Sequence, residues 1–350
     1  MNILISSYTG LGNFILKTPM ISYIRKEYPS AVIDIITANG LGIEPILKNN
    51  DLIDNIIVFN NKSSLIEKIL FFIKLRRSKY DLVLLPFDSQ PLFLILGSYI
   101  SKIKKRAIHF IIHNKNRSLF SILMPWTLCV QALPNRHEID LNYDLLESYL
   151  NKPIKRQYKT FVNITKNIDV LNKFQLRQHK YIVVQVGGAN GAKSAKKWSN
   201  ENFKRLIAKL NTDHSAYEVV LVGDQADYDS DIKSLERTGL DFINTAGLTS
   251  IDEVINLLYF SKLVVSHDSG IMHLANALDC NLIALYGPTD HTRTMPLGEN
   301  STVLYSKTSC FCKMYNFMGS EFDLYHQFPN CMDGIKVKDV MDRVGKFIAQ

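Results

Sequence analysis

The sequence lacks an uninterrupted apolar run long enough to cross a membrane. Its longest apolar region, Leu82 to Ile100, is interrupted by Pro86, Asp88, Ser89, Gln90 and Pro91. A membrane-spanning helix needs about 20 consecutive apolar residues. The first residues lead directly into a predicted strand, without the basic segment and cleavage site of a secretory signal. We therefore predict neither an integral membrane protein nor an exported one.

Cysteine is also scarce, with 5 in 350 residues. An odd number of cysteines without an export signal favours the reducing cytoplasm over a disulfide framework. Cys310 and Cys312 are one residue apart and Cys331 is distant, which is a poor zinc pattern even if His326 supplied a fourth ligand. We favour free thiols here and predict no metal.

The charge balance limits the ligands that the protein can bind. The 41 Lys and Arg residues against 33 Asp and Glu give a net charge of +8, which suits an anionic ligand or an acidic surface. The basic residues are scattered and no recognition motif accompanies them, so a nucleic-acid function is not expected. The composition, with 46% hydrophobic and 21% charged residues, predicts a folded protein and not a disordered one. The length of 350 residues predicts two domains.

Short aliphatic strands alternate with helices along both halves, which predicts an α/β fold with parallel sheets. The predicted boundary is a polar, basic segment near 155–175 that contains one strand at 160–164. We expect domains at 1–165 and 166–335, and a C-terminal helix at 336–350 that packs back on the first domain. The clearest predicted elements are strands at 2–5, 32–37, 56–59, 82–85, 181–186, 218–222 and 282–286, and helices at 14–28, 65–74, 92–101, 200–210, 227–237, 251–260 and 337–349.

Two basic clusters follow apolar helices in the first half. One ends the segment from Ile66 to Arg77, and the other comprises Lys102, Lys104, Lys105 and Arg106. We favour a helix that packs on the core while its lysines extend into solvent. The alternative is a patch that meets an anionic membrane surface.

The most informative stretch is Ser266 to His273, which lies between a predicted strand at Leu263–Val265 and a predicted helix from Met272. It therefore falls at the carboxyl edge of a sheet, where open α/β folds bind ligands and where the free N–H groups of a helix start suit a phosphate. Asp268 and Ser269 also fit a simple helix cap. We favour a ligand site, since a cap needs one such residue and not the whole block.

Four strands of the second half end in loops that contain glycine or serine, and parallel topology places those loops at one edge. The loop from Gly187 to Trp198 also carries Lys193, Lys196 and Lys197. Glycines let backbone N–H groups approach a phosphate, and lysines supply charge, so we favour phosphate binding over a solvated loop. Gly10 and Gly12 after the first strand lack the third glycine and the distant acidic residue of a dinucleotide site, which argues against a dehydrogenase.

Taken in chain order, these motifs resemble glycosyltransferase family 9, the ADP-heptose:lipopolysaccharide heptosyltransferases and their relatives. The matching segments cover nearly the whole chain: Gly10–Asn13 with Thr18-Pro19, Arg25 with 29–34, the helix after His137, Gly188 with Lys196–Trp198, Gly247–Ser250, Asp268–Ala275, Gly287–Asp290, and a tail with Cys331-Met332.

The resemblance implies a GT-B fold, with two Rossmann-like domains facing across a cleft. The second domain would bind the nucleotide sugar and the first domain the acceptor. Such enzymes resemble inverting, metal-independent transferases that use no cofactor, with the nucleotide sugar, here ADP-heptose by resemblance, as a substrate. Carried over by position, Lys196 would contact the phosphates, and the rest of the donor site would be Gly188, Lys193, Asp268, Ser269, Gly270, His273 and Gly287. Gly10, Gly12 and Asn13 would form the acceptor-side loop.

One position departs from the family pattern. The family usually carries Asp where this chain has Asn13, and that Asp is its expected general base. An amide cannot take a proton from a hydroxyl group at neutral pH. Asp88 or His137 is then the candidate base, although His137 equally fits a surface or capping role; alternatively the acceptor needs little base assistance, or transfer is slow or lost.

We therefore expect a glycosyltransferase that moves a heptose or similar sugar to a bacterial surface glycan, such as the lipopolysaccharide core. The protein would act in the cytoplasm, with the inner-membrane surface as a further contact. The alternatives are a nucleotide-sugar-binding relative without transfer and a GT-B nucleotide-sugar epimerase.

Overall fold

The computed structural model describes residues 1–38, 40, 42–47, 50–60, 62–86, 88, 92–111, 127–133, 136–187, 196–287, 289–306 and 331–349. The chain divides into two compact units, Met1–Asn163 and Ile164–Gln350. The division falls within the segment in which the sequence predicts the linker.

Unit 1 contains a six-stranded parallel sheet with the order β3-β2-β1-β4-β5-β6. Its strands are β1 (Asn2–Ser7), β2 (Val32–Thr37), β3 (Asn55–Val58), β4 (Leu82–Leu85), β5 (Lys105–Ile111) and β6 (Thr127–Ala132). Its helices are α1 (Leu11–Ile15), α2 (Thr18–Glu27), α3 (Ile43–Ile46), α4 (Leu65–Leu75), α5 (Leu92–Ile100) and α6 (Glu138–Leu150). β4 consists of buried aliphatic residues and β1 is buried from Ile3 to Ser7, as expected for strands covered on both faces.

Unit 2 repeats this architecture with the strand order β12-β11-β10-β7-β8-β9. Its strands are β7 (Tyr181–Gln185), β8 (Glu218–Val222), β9 (Ile243–Asn244), β10 (Leu263–His267), β11 (Leu282–Tyr286) and β12 (Ser301–Tyr305). Its helices are α7 (Asp169–Lys173), α8 (Asn200–Asp213), α9 (Gln225–Asp227), α10 (Lys233–Glu236), α11 (Ile251–Tyr259), α12 (Gly270–Ala277), α13 (His291–Thr294) and α14 (Val337–Ala349). The predicted α/β fold class, with two parallel-sheet domains, is confirmed.

Several predicted elements differ from those observed. The helix predicted at 14–28 is two helices, since Pro19 in the first turn of α2 lacks the N–H that a continuous helix needs. The helix predicted at 227–237 is interrupted by a π-helical turn at Tyr228–Ile232. The strand predicted at 160–164 is absent from the described structure: Thr160 and Val162 are buried, but the extended chain between them bonds to the Thr18 hydroxyl rather than to a strand.

The C-terminal helix α14 belongs to unit 2. That it also packs back on the first domain stays a prediction. Val340, Val344 and Phe347 lie on one helical face and join the core of unit 2. Their spacing is that of an amphipathic helix lying on a core.

One residue of the second basic cluster, Arg106, does not lie at the surface. Arg106 lies on β5 and is buried, where its guanidinium donates to the hydroxyl of Ser98 at 2.6 Å and lies 3.5 Å from the ring centre of Tyr99. In the described part of the chain, no helix combines the length and apolar character needed to cross a membrane.

Candidate functional site

The carboxyl edge of the unit 2 sheet gathers polar side chains from three neighbouring strands. β7 ends at Gln185, β10 at His267 and β11 at Tyr286, and the strands run parallel. The residues that follow them, Asp268 and Gly287 among them, therefore emerge at the same edge. This is the edge at which the sequence predicts a ligand site.

Lys196 and Asp268 form an ion pair at this edge. The Lys196 ammonium lies 2.9 Å from Oδ2 of Asp268, and their side chains are 19% and 8% exposed. Burial alone would raise the pKa of Asp268, but the Lys196 ammonium and His273 outweigh it, and the net pKa lies below its ordinary value. The carboxylate is therefore ionised at neutral pH, and the ammonium beside it stays accessible to solvent.

Ser269 is the N-cap of α12, which explains part of the motif. Its hydroxyl accepts from the backbone N–H of Met272 at 3.4 Å and donates to Oε1 of Gln185 at 2.7 Å. Ser266 donates to the same amide oxygen. The capping interpretation of Ser269 is thus correct, and the helix that it caps begins at the partly exposed Gly270 with first-turn N–H groups that have no partner within the helix.

His267 is a buried residue that sequence reasoning missed. Its Nε2 accepts the backbone N–H of Trp198 at 2.9 Å, and Nδ1 donates to the carbonyl of Gly187 at 3.3 Å. Burial lowers the pKa of His267 to about 4, so the ring is neutral at physiological pH. It joins β10 to both ends of the segment that carries Lys196.

The other predicted donor-site residues have varied positions. His273 is buried on α12, and Gly287 directly follows β11. Lys197, which the sequence groups with Lys196, instead pairs with Asp231. Gly188 and Lys193 lie outside the described residues.

The carboxyl edge of the unit 1 sheet contains a second lysine–aspartate pair, at Asp88. Its Oδ2 lies 2.6 Å from the Lys17 ammonium and accepts from the Thr9 hydroxyl at 2.6 Å and from Nδ2 of Asn13 at 3.3 Å. Lys17 also donates to the Asn13 carbonyl at 3.3 Å. The structure therefore brings together two predicted residues, Asn13 and Asp88, and adds Thr9 and Lys17, which no sequence pattern singles out.

The remaining unit 1 candidates are partly explained by local structure. Gly10 is the exposed N-cap of α1, and Gly12 is buried within that helix. His137 is the N-cap of α6, and its Nδ1 accepts the backbone N–H of Ile139 at 3.2 Å. The capping role considered for His137 is therefore observed.

Within the described ranges, no group of three or more His, Cys, Asp or Glu side chains is placed to hold a metal ion. Cys310, Cys312 and His326 lie outside those ranges, as does the side chain of Cys331. The absence of a metal site in the tail stays a prediction.

Comparison with known proteins identifies the family. The model of glycosyltransferase family 9 (heptosyltransferase) matches residues 70–317. Lipopolysaccharide heptosyltransferase 3 of Escherichia coli K12 is 27% identical, over 83% of each chain. Lipooligosaccharide heptosyltransferase 2 of Haemophilus influenzae is 26% identical, over 87% of this chain and 88% of the relative.

The fold agrees with that of solved members. The structure of Escherichia coli ADP-heptose lipopolysaccharide heptosyltransferase II superposes with a TM-score of 0.74 and 21% identity, covering 100% of this chain and 99% of that one. The fold is thus of the GT-B type. The family model matches well over half of this chain. The chain therefore belongs to glycosyltransferase family 9 and is a glycosyltransferase.

Proposed function

We propose that the protein transfers a heptose or similar sugar from a nucleoside-diphosphate donor to a glycan of the lipopolysaccharide core or a related surface glycolipid. The observation that carries the proposal is the solvent-accessible Lys196–Asp268 pair at the start of α12. ADP-heptose is the preferred donor, because the names of the relatives include ADP-heptose and lipopolysaccharide.

The unit 2 edge has the chemistry that a diphosphate leaving group needs. Negative charge develops on the phosphate as its bond to the sugar breaks, and a fixed ammonium together with helix N-terminal amides stabilises that charge. Lys196 and the first turn of α12 from Gly270 supply these groups. Gly287 would lie near the same phosphates, whereas the roles of Gly188 and Lys193 stay predictions from the sequence. We propose no metal or cofactor because Lys196 supplies the positive charge.

Asp268 has a different role from Lys196. An ionised carboxylate repels phosphate, whereas it accepts hydrogen bonds from sugar hydroxyls. We therefore assign Asp268 to the sugar and to the orientation of the Lys196 ammonium. Ser269 would contact the phosphate through its backbone N–H, since its hydroxyl already donates to Gln185. His273 would line the same pocket.

We assign the general base to Asp88 in unit 1. In the proposed inverting displacement, the acceptor oxygen bonds to the sugar C1, the bond from C1 to the phosphate oxygen breaks, and the acceptor proton passes to the base. Asn13 cannot accept that proton, but its amide donates to the Asp88 carboxylate. Among the described residues, the three donors reach Oδ2, and none reaches Oδ1. His137 is the less suitable base, since Nδ1 already accepts a backbone N–H.

Nucleotide titration tests the donor site. We expect selective binding of ADP over UDP and GDP, and we expect Lys196→Ala to weaken it about 10- to 100-fold because a charge-assisted contact is lost. Lys173→Ala is the matched control, since Lys173 forms an ion pair of the same length, 2.9 Å, at the surface of the same unit. Equal losses in the two variants, or no nucleotide binding at all, would exclude this donor site.

Product analysis then separates the candidate functions. Transfer to a lipopolysaccharide-core acceptor with inverted anomeric configuration, unaffected by a chelator, supports the proposal. Donor binding without transfer indicates the binding-only relative, which the replacement at Asn13 favours. A changed sugar nucleotide formed from the donor alone indicates an epimerase.

A further inference from the structure

Helix α4 exposes the residues that a soluble helix usually buries. Leu65 is 73% exposed, Ile66 70%, Leu70 59% and Ile73 51%, and Ile69 is exposed as well. These five residues form what we call the outward face of α4. Isolated exposed aliphatic residues are common, but a contiguous apolar face marks an interaction site.

The outward face is separate from the face that holds α4 to the protein. At about 100° per residue, the five positions span an arc of about 140°. Phe72 and Leu75 are buried and lie outside that arc, about 20° and about 80° beyond its edge at Leu65. Gly97 of α5 permits this packing, because a Cβ there would lie 2.3 Å from the Phe72 ring. The outward face is therefore not needed to anchor the helix.

Basic residues surround the outward face. Between Lys62 and Lys79 the chain carries six basic residues and one acidic residue, Glu67. Glu67 is used in the capping box with Ser64 at the start of α4. Lys62, Lys74, Arg76, Arg77 and Lys79 are exposed. Apolar side chains next to solvated cations complement a bilayer surface that carries anionic headgroups.

We propose that α4 lies on the surface of an anionic lipid bilayer, with its outward face inserted between the headgroups and its flanking cations on the lipid phosphates. An 11-residue helix is too short to cross a bilayer of about 30 Å, so it lies in the interface. The preferred sequence interpretation, a helix that packs on the core, holds for Phe72 and Leu75, but that packing leaves the outward face uncovered. The surface is independent of the proposed chemistry, although it suits an acceptor that is a lipid.

Vesicle co-sedimentation of the full chain tests the proposal. The probes are vesicles of phosphatidylethanolamine with phosphatidylglycerol, and vesicles of phosphatidylcholine alone, at low and high salt. We expect binding to the anionic vesicles that weakens with salt and is much weaker on phosphatidylcholine. The triple variant Ile66→Gln, Leu70→Gln, Ile73→Gln should reduce the partition coefficient at least about tenfold, and glutamine keeps the helix propensity high.

The controls separate lipid binding from loss of structure. Ile168→Gln with Leu248→Gln removes two exposed aliphatic residues from unit 2 and should leave vesicle binding unchanged. Arg76→Gln with Arg77→Gln should weaken binding to anionic vesicles and reduce its salt dependence. Nucleotide affinity and circular dichroism should stay unchanged in all of these variants, so failure of this proposal is distinct from failure of the donor site.

Two outcomes overturn the proposal. One is equal vesicle binding by the triple variant and the unsubstituted chain. The other is self-association in sedimentation velocity that the triple variant abolishes, without vesicle binding by either protein, because the outward face would then bind a second copy.

Discussion

The Lys17–Asp88 pair at the carboxyl edge of the unit 1 sheet and the Lys196–Asp268 pair at that of unit 2 differ in their access to solvent. Lys17 is fully buried and its Asp88 partner is 7% exposed, whereas Lys196 is 19% exposed beside Asp268. Lys17 is also held by the Asn13 carbonyl. An enclosed ammonium fixes the groups around it, whereas an accessible one is able to meet a ligand. We therefore propose a structural role for the Lys17 ammonium and a ligand-binding role for that of Lys196.

The largest effect is expected from substitution of the two aspartates, Asp88 and Asp268, which should change different kinetic parameters. Asp88→Asn removes the proposed base, so kcat should fall about 10²- to 10⁴-fold while the donor KM changes little. Asp268→Asn should instead raise the donor KM about tenfold, because it disturbs the sugar and Lys196. Steady-state kinetics at saturating acceptor measures both. If kcat of Asp88→Asn equals that of the unsubstituted enzyme, another group is the base.

The two lysines should differ in their effect on stability. Lys17→Met leaves a buried carboxylate without its counter-charge, which should lower the free energy of unfolding by about 3–5 kcal/mol. Lys196→Met should cost about 1–2 kcal/mol, since water reaches that pair. Urea denaturation measures the difference, and the double variant Lys17→Met, Asp88→Asn should recover part of the loss. Equal costs for the two lysines would contradict the distinction drawn from burial.

His267 should make the folded state sensitive to acid. Its pKa is lowered from 6.5 to about 4, so the unfolded chain binds more protons between these values. The contribution of His267 to the free energy of unfolding is then fully present above about pH 6.5. It falls by about 3 kcal/mol as the pH drops to 4. Asp268, whose pKa is also lowered, contributes a loss only at still lower pH. His267→Gln should flatten the profile between pH 6.5 and 4, as measured by thermal unfolding, and an unchanged slope would assign the acid sensitivity to other groups.

The smallest effect is expected for Asn13→Asp, which introduces the residue that the family resemblance predicts at this position. It places a second carboxylate about 3.3 Å from Asp88, and two like charges at that distance cannot both ionise freely. We expect a change in kcat of a few-fold, with a rate that rises over a higher pH range than that of the unsubstituted enzyme. A pH–rate profile tests this expectation. A loss as large as that of Asp88→Asn would instead give the Asn13 amide an essential role.

The sequence predicted features that depend on local pattern. The block at Asp268 was found because a strand, a polar loop and a helix follow one another directly, and Lys196 was found because it stands in a glycine- and lysine-rich loop. The Lys17–Asp88 pair joins residues 71 positions apart. Lys17 lies within a predicted helix, and no motif around it indicates a functional role.

Two further features depend on which face of an element is covered. The apolar residues of α4 have the composition of a core helix, and only the tertiary structure shows that Phe72 and Leu75 are buried while the outward face stays exposed. His267 directly precedes Asp268, yet its neutral state follows from burial and from the N–H of Trp198, which is 69 positions away. These relations arise from tertiary structure.

The anchoring of Trp198 has a consequence for engineering. Its backbone N–H is bound by His267, its indole N–H donates to the carbonyl of Ile335 at 3.1 Å, and its ring packs edge-on against Phe203. Trp198 is therefore a fixed point two residues from Lys196. The number of residues between them sets the position of the Lys196 ammonium. One inserted residue moves the chain by about 3.4 Å, more than the 2.9 Å between the Lys196 ammonium and Asp268. Sequences grafted into this loop should therefore keep the number of residues between the lysine and the tryptophan.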